Sequence, residues 1–467
     1  FLITESKLGI RHLQVFLHFL GMVIGYSLRV SMSVAIVPMT QNDSNSYQFE
    51  VYNWSSTESA TILSSFFWGY TIMQIPSGYI AAFWSAQKLL SFGLLLCGIL
   101  NILTPTLAHY GGYLAVCACR VGMGLSQSCL LPSIHTLLSK WAPPTERARL
   151  GTLAYAGAQF GTVICFPISG LLASSSAGWP SIFYVFGALA VIWGVVFFVF
   201  GSDSPSKHSR ISEKERRYIE NSLKSSEEEK PSNETLSTPW IKILSSRPMW
   251  ALMVTQSAHT WGFWMLLTKI PSYFQAVFKV NIKENGLMSA LPYFTAWLFS
   301  FPISFISDLL IKRNILTVQA SRKICNTFGE WVPAIALIGL GYVDKEHSEI
   351  AVAILVIAVT SNVAIYCGHN VNHMDLSPNF AGPLMGIINT VANICSILAP
   401  LIVGVIVHDK TDVEEWRNVF FLTSLIYFVG NLIFIMFGTS KIQAWNDPVK
   451  KDKDIAMNST NESSVEN

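Results

Sequence analysis

Residues 120–150 read RVGMGLSQSCLLPSIHTLLSKWAPPTERARL. Arg120 lies in a long apolar segment, and a charged side chain in hydrocarbon costs about 2.5–3.5 kcal/mol on insertion scales. The arginine is therefore expected to face protein or a water-filled cavity. Pro143 and Pro144 end the helix, and the charged residues that follow them keep the connection in water. The stretch predicts a membrane-spanning helix with one buried cation, followed by a cytoplasmic turn.

The composition of the whole chain agrees with a membrane protein. Of 467 residues, 51% are hydrophobic and only 13% are charged, whereas about 25% of the residues in a soluble domain are charged. The net charge of +2 gives no sign of a nucleic-acid partner. The apolar surface is expected to face a lipid bilayer.

A spanning helix needs about 20 mostly apolar residues, and the chain offers twelve such stretches. They are 12–38, 57–82, 88–108, 112–139, 149–173, 180–201, 248–275, 285–311, 325–343, 349–372, 383–408 and 416–438. The hydrophilic linker 202–247 separates the first six from the last six. We therefore predict an all-α integral membrane protein with two six-helix bundles, 1–201 and 248–440, and a disordered cytoplasmic tail, 441–467.

Lysine and arginine placement sets the orientation, because cytoplasmic loops carry the excess of these residues. The N-terminal side and the even-numbered loops hold most of them: Lys7, Arg11, Lys88, Lys140, Arg147, Arg149, Lys312, Arg313, Arg322 and Lys323. Both termini are thus expected in the cytoplasm. The first outer loop has no Lys or Arg but carries glycosylation sequons at Asn42 and Asn53. The sequon at Asn233 falls in the cytoplasmic linker and is expected to stay unmodified.

The two halves of the chain resemble each other faintly. Pro167 and Gly170 in the fifth span match Pro400 and Gly404 in the eleventh. Paired six-helix halves with a midplane site between them are a secondary-transporter architecture.

Buried basic residues indicate what such a site would hold. Arg29 in span one and Arg120 in span four are predicted at the same depth, and His259 lies near the middle of span seven. Arginine binds phosphate or carboxylate through a planar fork of donors and stays charged. The alternative is that each arginine is structural and bonds helix carbonyls. The spans hold almost no carboxylate to neutralise them, which favours an exchangeable anion, whereas His259 fits a core histidine equally well.

Neutral polar residues could complete the cavity. Tyr70, Asn370 and Asn372 are candidate hydrogen-bond partners of the substrate, although polar packing between helices explains them equally well. His369 and His373 have metal-ligand spacing on a helix, but with no third ligand nearby we predict no metal site. Because no phosphate-binding loop or catalytic pair is found, the chain is not expected to be an enzyme.

Four stretches resemble the solute carrier family seventeen anion transporters of the major facilitator superfamily. They are WAPPTERARL (141–150), SSFFWGYTIMQIPSGYIA (64–81), NVNHMDLSPNFAG (370–382) and EEWRNVFFLTSLIYFVGNLIFIMFG (414–438). Within that family the chain looks most like the insect inorganic phosphate cotransporters. The resemblance implies roles for Arg29 and Arg120 in anion binding. Other branches of the family move glutamate, sialic acid, acidic sugars, urate or nucleotides.

The chain also departs from the family pattern. Gln127 stands where proton-coupled members have glutamate, and Leu63 stands where vesicular glutamate members have histidine. The acid of the superfamily's cytoplasmic gate is missing at Ala82 and present at Asp308. Glutamine cannot take up a proton, so proton symport by the family's usual route is in doubt.

The expected function is secondary active transport of a small anion by alternating access, with inorganic phosphate favoured and sodium as the coupling ion. The alternative is a proton- or potential-driven carrier of organic anions in lysosomes or vesicles. A sensor that has lost transport is the third possibility. We expect a monomeric multi-pass protein, in the plasma membrane by preference, with no cofactor other than sodium.

Overall fold

A computed structural model describes residues 9–40, 49–143, 146–228 and 238–446. These residues form fifteen α-helices and two short 3-10 helices, Pro205–Lys207 and Val363–Cys367. The α-helices are α1 Ile10–Thr40, α2 Ser56–Phe83, α3 Ala86–Gln127, α4 Leu130–Trp141, α5 Arg147–Ala173, α6 Pro180–Phe200, α7 Glu213–Glu228, α8 Trp240–Leu244, α9 Arg247–Phe278, α10 Ile282–Lys312, α11 Val318–Leu340, α12 Ser348–Asn362, α13 His369–Leu376, α14 Ala381–Ile406 and α15 Val413–Phe437.

The predicted twelve-span, all-helical architecture is confirmed. The chain crosses six times before the linker, as α1, α2, the two arms of α3 with α4 continuing the second, α5 and α6. It crosses six times after the linker, as α9, α10, α11, α12 with α13, α14 and α15. By length and apolar content alone, eight segments of the described chain could span a membrane, and α3 and α4 count as one of them. The helices α2, α9 and α11 fall short of that apolar content.

Two backbone breaks divide the helices of spans three and four. The arms of α3 meet at Gly112, whose φ of 59° is a left-handed conformation that glycine adopts without strain. Further on, α3 ends at Gln127 and α4 begins at Leu130. Pro132 has no N–H to give to the carbonyl of Ser128, which explains why the helix is interrupted there.

The two bundles pack together at their outer ends. Thr57 Oγ1 donates to the carbonyl of Gly404 at 3.3 Å, across α2 and α14. On the opposite side, a Cβ added to Gly170 would lie 2.8 Å from the carbonyl oxygen of Ile282 and 3.3 Å from Gly286 Cα. The outer halves of α5 and α10 therefore approach each other more closely than larger residues would allow.

The cytoplasmic linker is tied to the N-terminal bundle through a buried ion pair. Glu215 of α7 accepts hydrogen bonds from the backbone N–H groups of Ile10 and Arg11 at 3.0 and 3.1 Å. Arg11 Nη1 donates to the same carboxylate at 3.1 Å, while Arg11 Nε donates to Glu146 at 3.0 Å. The linker residue therefore caps the free amide groups at the start of α1.

The C-terminal segment differs from the predicted disordered tail in its first residues. Residues 441–446 dock on the C-terminal bundle, where Gln443 N donates to Leu376 O at 2.9 Å and Trp445 is buried. The apolar Trp445 side chain explains why the polar segment packs. The tail from residue 447 onward lies outside the described residues, as do the sequons at Asn42 and Asn233.

Candidate functional site

Arg29 in the middle of α1 is held by a single side chain of α3. Its Nε and Nη2 groups donate to Gln127 Oε1 at 3.1 and 2.9 Å. The Gln127 Nε2 group in turn donates to the carbonyl of Gly25 at 2.8 Å. Because both ends of the amide are engaged, Gln127 orients the guanidinium and leaves its positive charge in place.

Aromatic rings surround the same guanidinium. The Cζ atom of Arg29 lies 4.8 Å from the ring centroid of Tyr26, 5.0 Å from Phe66 and 4.6 Å from Tyr70. A fourth ring, Trp264 of α9, approaches at 5.7 Å from the other bundle. Ring faces attract a desolvated cation, so this cage stabilises a charge that would otherwise be costly to bury.

Arg120 faces the same Phe66 ring from the second arm of α3. Its Cζ atom lies 5.2 Å from the Phe66 centroid, and only 3% of the residue is exposed. Its Nε group is buried and has no hydrogen-bond partner among the described residues. The structure thus brings Arg29 and Arg120 to one aromatic ring.

No described carboxylate forms an ion pair with Arg29 or Arg120. Two buried positive charges without a counter-ion are unfavourable unless an anion joins them. The unused guanidinium donors can form charge-assisted hydrogen bonds with phosphate or carboxylate oxygens. The arrangement is therefore chemically suited to bind a small anion between the helices.

Over residues 17–400 the sequence matches the family described as the Major Facilitator Superfamily. The chain belongs to this superfamily. The match covers most of both helical bundles, so the protein is a multi-pass membrane protein built on a transporter fold, and not an enzyme.

Curated relatives place the chain in the branch that its motifs resemble. It is 37% identical to a Drosophila melanogaster protein named "Putative inorganic phosphate cotransporter", over 96% of this chain and 89% of the relative. It is 36% identical to vesicular glutamate transporter 2 of Homo sapiens, over 92% of this chain and 74% of the relative. Human sialin is also 36% identical, over 92% of this chain and 89% of the relative. The resemblance to the solute carrier family seventeen transporters is confirmed.

Solved structures support the fold at much lower sequence identity. A bacterial homologue of the human lysosomal transporter Spinster superposes with a TM-score of 0.72 at 14% identity, over 94% of this chain and all of that one. A D-xylose–proton symporter gives a TM-score of 0.69 at 14% identity, over 92% and 99% of the two chains. These similarities concern the superfamily fold.

Only some of the remaining predicted site residues lie beside Arg29 or Arg120. Tyr70 belongs to the cage around Arg29. The His259 ring lies 6.0 Å from the Phe263 ring, which lies 5.3 Å from Trp264, so aromatic rings separate it from Arg29. No described contact joins His259 to either arginine directly.

Asn372 lies away from the arginine cluster. Its Nδ2 group donates to Thr439 O at 3.1 Å and to Ser440 Oγ at 3.0 Å, beyond the inner end of α15. The predicted tenth span is not one continuous α-helix, because the 3-10 segment Val363–Cys367 interrupts it before Asn372. Asn370 is half-buried on the same short helix, α13.

Two of the predicted gate and glycosylation residues, Asp308 and Asn53, are accessible. Asp308 is exposed on the last turns of α10, toward the cytoplasmic end. Asn53 is exposed just before α2 in the outer loop. The sequence has alanine, and no gate acid, at the matching position 82 of the first half. The Ala82 side chain is not among those described.

The sequence interpretation overlooked Glu330 of α11. This residue is fully buried, and neither carboxylate oxygen has a hydrogen-bond partner among the described residues. Its Oε1 atom lies 3.9 Å from His259 Nδ1. The signal was present in the sequence, because an acidic residue within a predicted span is by default a functional candidate.

Proposed function

We propose that this protein transports a small anion across a membrane by alternating access, with inorganic phosphate as the favoured substrate. The observation that carries the proposal is the meeting of Arg29 and Arg120 at Phe66 without a carboxylate partner. The relatives named for phosphate, glutamate and sialic acid transport share substrates that carry oxygen anions. Both six-helix bundles come from one chain, so a monomer suffices.

Binding would use the two arginines differently. The Nε and Nη2 groups of Arg29 already donate to Gln127. The Nη1 group and the positive charge of the guanidinium stay available for the anion. Arg120 has its whole guanidinium available, including the unpartnered Nε group. A bidentate contact to Arg120 with a single contact to Arg29 would suit tetrahedral phosphate or a planar carboxylate.

Sodium is the proposed coupling ion, because Gln127 cannot carry a proton. Gln127 is not proposed as a sodium ligand, because its amide oxygen already accepts hydrogen bonds from two N–H groups of the Arg29 guanidinium. Sodium prefers several oxygen ligands, and a site beside Arg29 would be repelled by the guanidinium. The plasma membrane is the proposed location, where a sodium gradient is available.

A second candidate is a proton- or potential-driven organic anion carrier of vesicles or lysosomes. The buried carboxylate of Glu330 beside His259 favours this alternative. It could bind a proton in place of the glutamate that proton-coupled relatives have at position 127.

Purified protein in proteoliposomes would separate the two candidates. Uptake of labelled phosphate, glutamate, sialate and urate is measured with a sodium gradient alone and with a proton gradient alone. Phosphate uptake that follows sodium supports the first candidate, and organic anion uptake that follows protons or potential supports the second. Absence of uptake for every anion under both gradients would contradict anion transport itself.

A further inference from the structure

Glu330 lies in the middle of α11 with no solvent exposure. Both of its carboxylate oxygens are buried and unpartnered among the described residues. A buried carboxylate without hydrogen bonds or a counter-ion is strongly disfavoured in its ionised form. The Glu330 carboxylate therefore needs a proton or another cation, and no described residue supplies one.

The groups that face Glu330 come from several helices. His259 of α9 places Nδ1 at 3.9 Å, and this nitrogen also lacks a hydrogen-bond partner among the described residues. Tyr427 of α15 and Tyr293 of α10 are titratable side chains on the neighbouring helices. The Tyr293 hydroxyl is buried and has no described partner. No described Lys or Arg forms an ion pair with the carboxylate.

A second histidine extends the cluster. The ring of His369 lies 5.9 Å from that of His259. Its nitrogens contact Asn326 Oδ1 at 2.6 Å and Gln256 Oε1 at 2.8 Å. Each ring nitrogen of His369 thus has an amide partner, whereas His259 Nδ1 and the Glu330 carboxylate have no hydrogen-bond partner among the described residues.

A proton is a better candidate than a metal ion for the missing partner of the Glu330 carboxylate. Sodium prefers several oxygen ligands around it, but the polar atom described beside Glu330 is an imidazole nitrogen, and no described oxygen hydrogen-bonds to the carboxylate. A proton on the carboxyl group would provide a donor toward His259 Nδ1. Transfer of the same proton to the imidazole would convert the two side chains into an ion pair. Either state satisfies atoms that now lack partners.

We propose that Glu330 and His259 form a proton-binding site in the C-terminal bundle and that its occupancy is linked to anion transport. The inference rests on the proposed anion transport and adds a proton-linked step to it, beside the sodium coupling proposed above. The link is α9, because Trp264 follows His259 by five residues, about 7.5 Å along the helix, and contacts Arg29 and Phe67 of the other bundle. A change at His259 can therefore reach the anion site when the bundles rock.

The test uses proteoliposomes with the membrane potential clamped by potassium and valinomycin. External pH is held constant, so the ionisation of external phosphate does not change, and internal pH is raised by about one unit, a tenfold proton gradient. If one proton moves with each anion, wild-type accumulation of labelled phosphate should rise up to about tenfold. Phosphate exchange without a gradient is measured in parallel.

Two variants that replace the bound proton in different ways test the pair. Glu330→Gln cannot bind the proton, and His259→Arg supplies a permanent positive charge to the carboxylate. Both should retain phosphate exchange while losing the response to the proton gradient. Glu346→Gln, on the exposed loop after α11, is the control and should respond as wild type does. If one variant fails to fold, the other still decides the outcome.

The results separate this inference from the proposed function. A wild-type protein that exchanges phosphate but ignores the proton gradient would overturn the inference alone. So would a folded Glu330→Gln or His259→Arg protein whose gradient response matches wild type. A wild-type protein that neither accumulates nor exchanges any tested anion would instead overturn the proposed function.

Discussion

Arg29 donates two hydrogen bonds to the one amide oxygen of Gln127, at 3.1 and 2.9 Å. The glutamine therefore aligns the guanidinium without cancelling its charge. A glutamate at the same place would form an ion pair with Arg29, and that pair would compete with a bound anion. Replacing a carboxylate by an amide at this position keeps the hydrogen bonds and leaves the cation available.

The first prediction concerns the variant Gln127→Glu. Its carboxylate should pair with Arg29 and lower anion uptake at neutral pH by roughly tenfold or more, the effect of losing one charge-assisted contact. Protonation of the new carboxyl group frees Arg29, so uptake should recover as pH falls. Gln127→Met removes the acceptor without adding charge and should lower uptake equally at every pH. A wild-type pH profile for Gln127→Glu would contradict the role assigned to this contact.

The second prediction concerns the linker contact at Glu215. Replacing Glu215 by Ala removes a buried partner of Arg11 and the acceptor for two backbone N–H groups of α1. Breaking a buried pair costs about 3–5 kcal/mol, so the apparent midpoint of thermal unfolding in detergent should fall by several degrees. The matched control is Glu213→Ala on the same helix, because its exposed pairs are worth roughly 0.3–0.5 kcal/mol. Equal midpoints for the two variants would show that the Glu215 contact is not stabilising.

The helices could be predicted because they depend on long apolar runs, whereas their membrane orientation, drawn from loop charges, stays a prediction. The meeting of Arg29 with Arg120 could also be predicted, since both depths follow from the rise of a straight helix. The position of Asn372 could not, because the 3-10 segment before it changes the helical phase. Such a break depends on packing against neighbours such as Gly329, whose added Cβ would lie 3.0 Å from Ile365 N, and periodicity in one sequence does not reveal it.

The partners of buried polar groups were equally hidden from the sequence. Nothing in the spacing of Gln127 and Arg29, 98 residues apart, indicates that they share a hydrogen bond. The sequence does place Glu330 within a span, yet its distance from His259 depends on how α9 packs against α11. Residue types therefore indicated the chemistry, and only the packing indicated which groups meet.

The third prediction concerns the glycosylation of Asn53. This residue is exposed, and Ser55 of its sequon also caps α2 by accepting a hydrogen bond from Glu58 N at 3.1 Å. Ser55→Ala should lose both the glycan and the cap, a cost of about 1 kcal/mol for the cap. Ser55→Thr should keep both. Glycosidase-induced shifts on gels provide the measurement, and a shift assigned to Asn233 would contradict the membrane orientation.

The fourth prediction concerns the close approach of α5 and α10 at the outer side. Gly170→Val would push a side chain toward Ile282 O and Gly286 Cα, so closure of the outer ends should fail and uptake should fall by roughly tenfold or more, as expected for overpacking worth at least 1–3 kcal/mol. Gly151→Val on the same helix is the control, because a Cβ there meets no atom within 4 Å. Full uptake by Gly170→Val at normal surface expression would show that this contact does not limit the transport cycle.

The central claim is that Arg120 and Arg29 hold the transported anion, and uptake of labelled phosphate by Arg120 variants tests it most directly. Wild type, Arg120→Ala, Arg120→Lys and the control Arg217→Ala, whose side chain is 73% exposed on the linker, are compared at equal surface expression. Arg120→Ala should lose at least about 100-fold, since two charge-assisted hydrogen bonds are worth about 3 kcal/mol or more. Arg120→Lys should also lose most uptake, because an ammonium lacks the planar fork, while Arg217→Ala should behave as wild type. Uptake near the wild-type rate in Arg120→Ala would contradict the account and leave Arg120 as a packing residue.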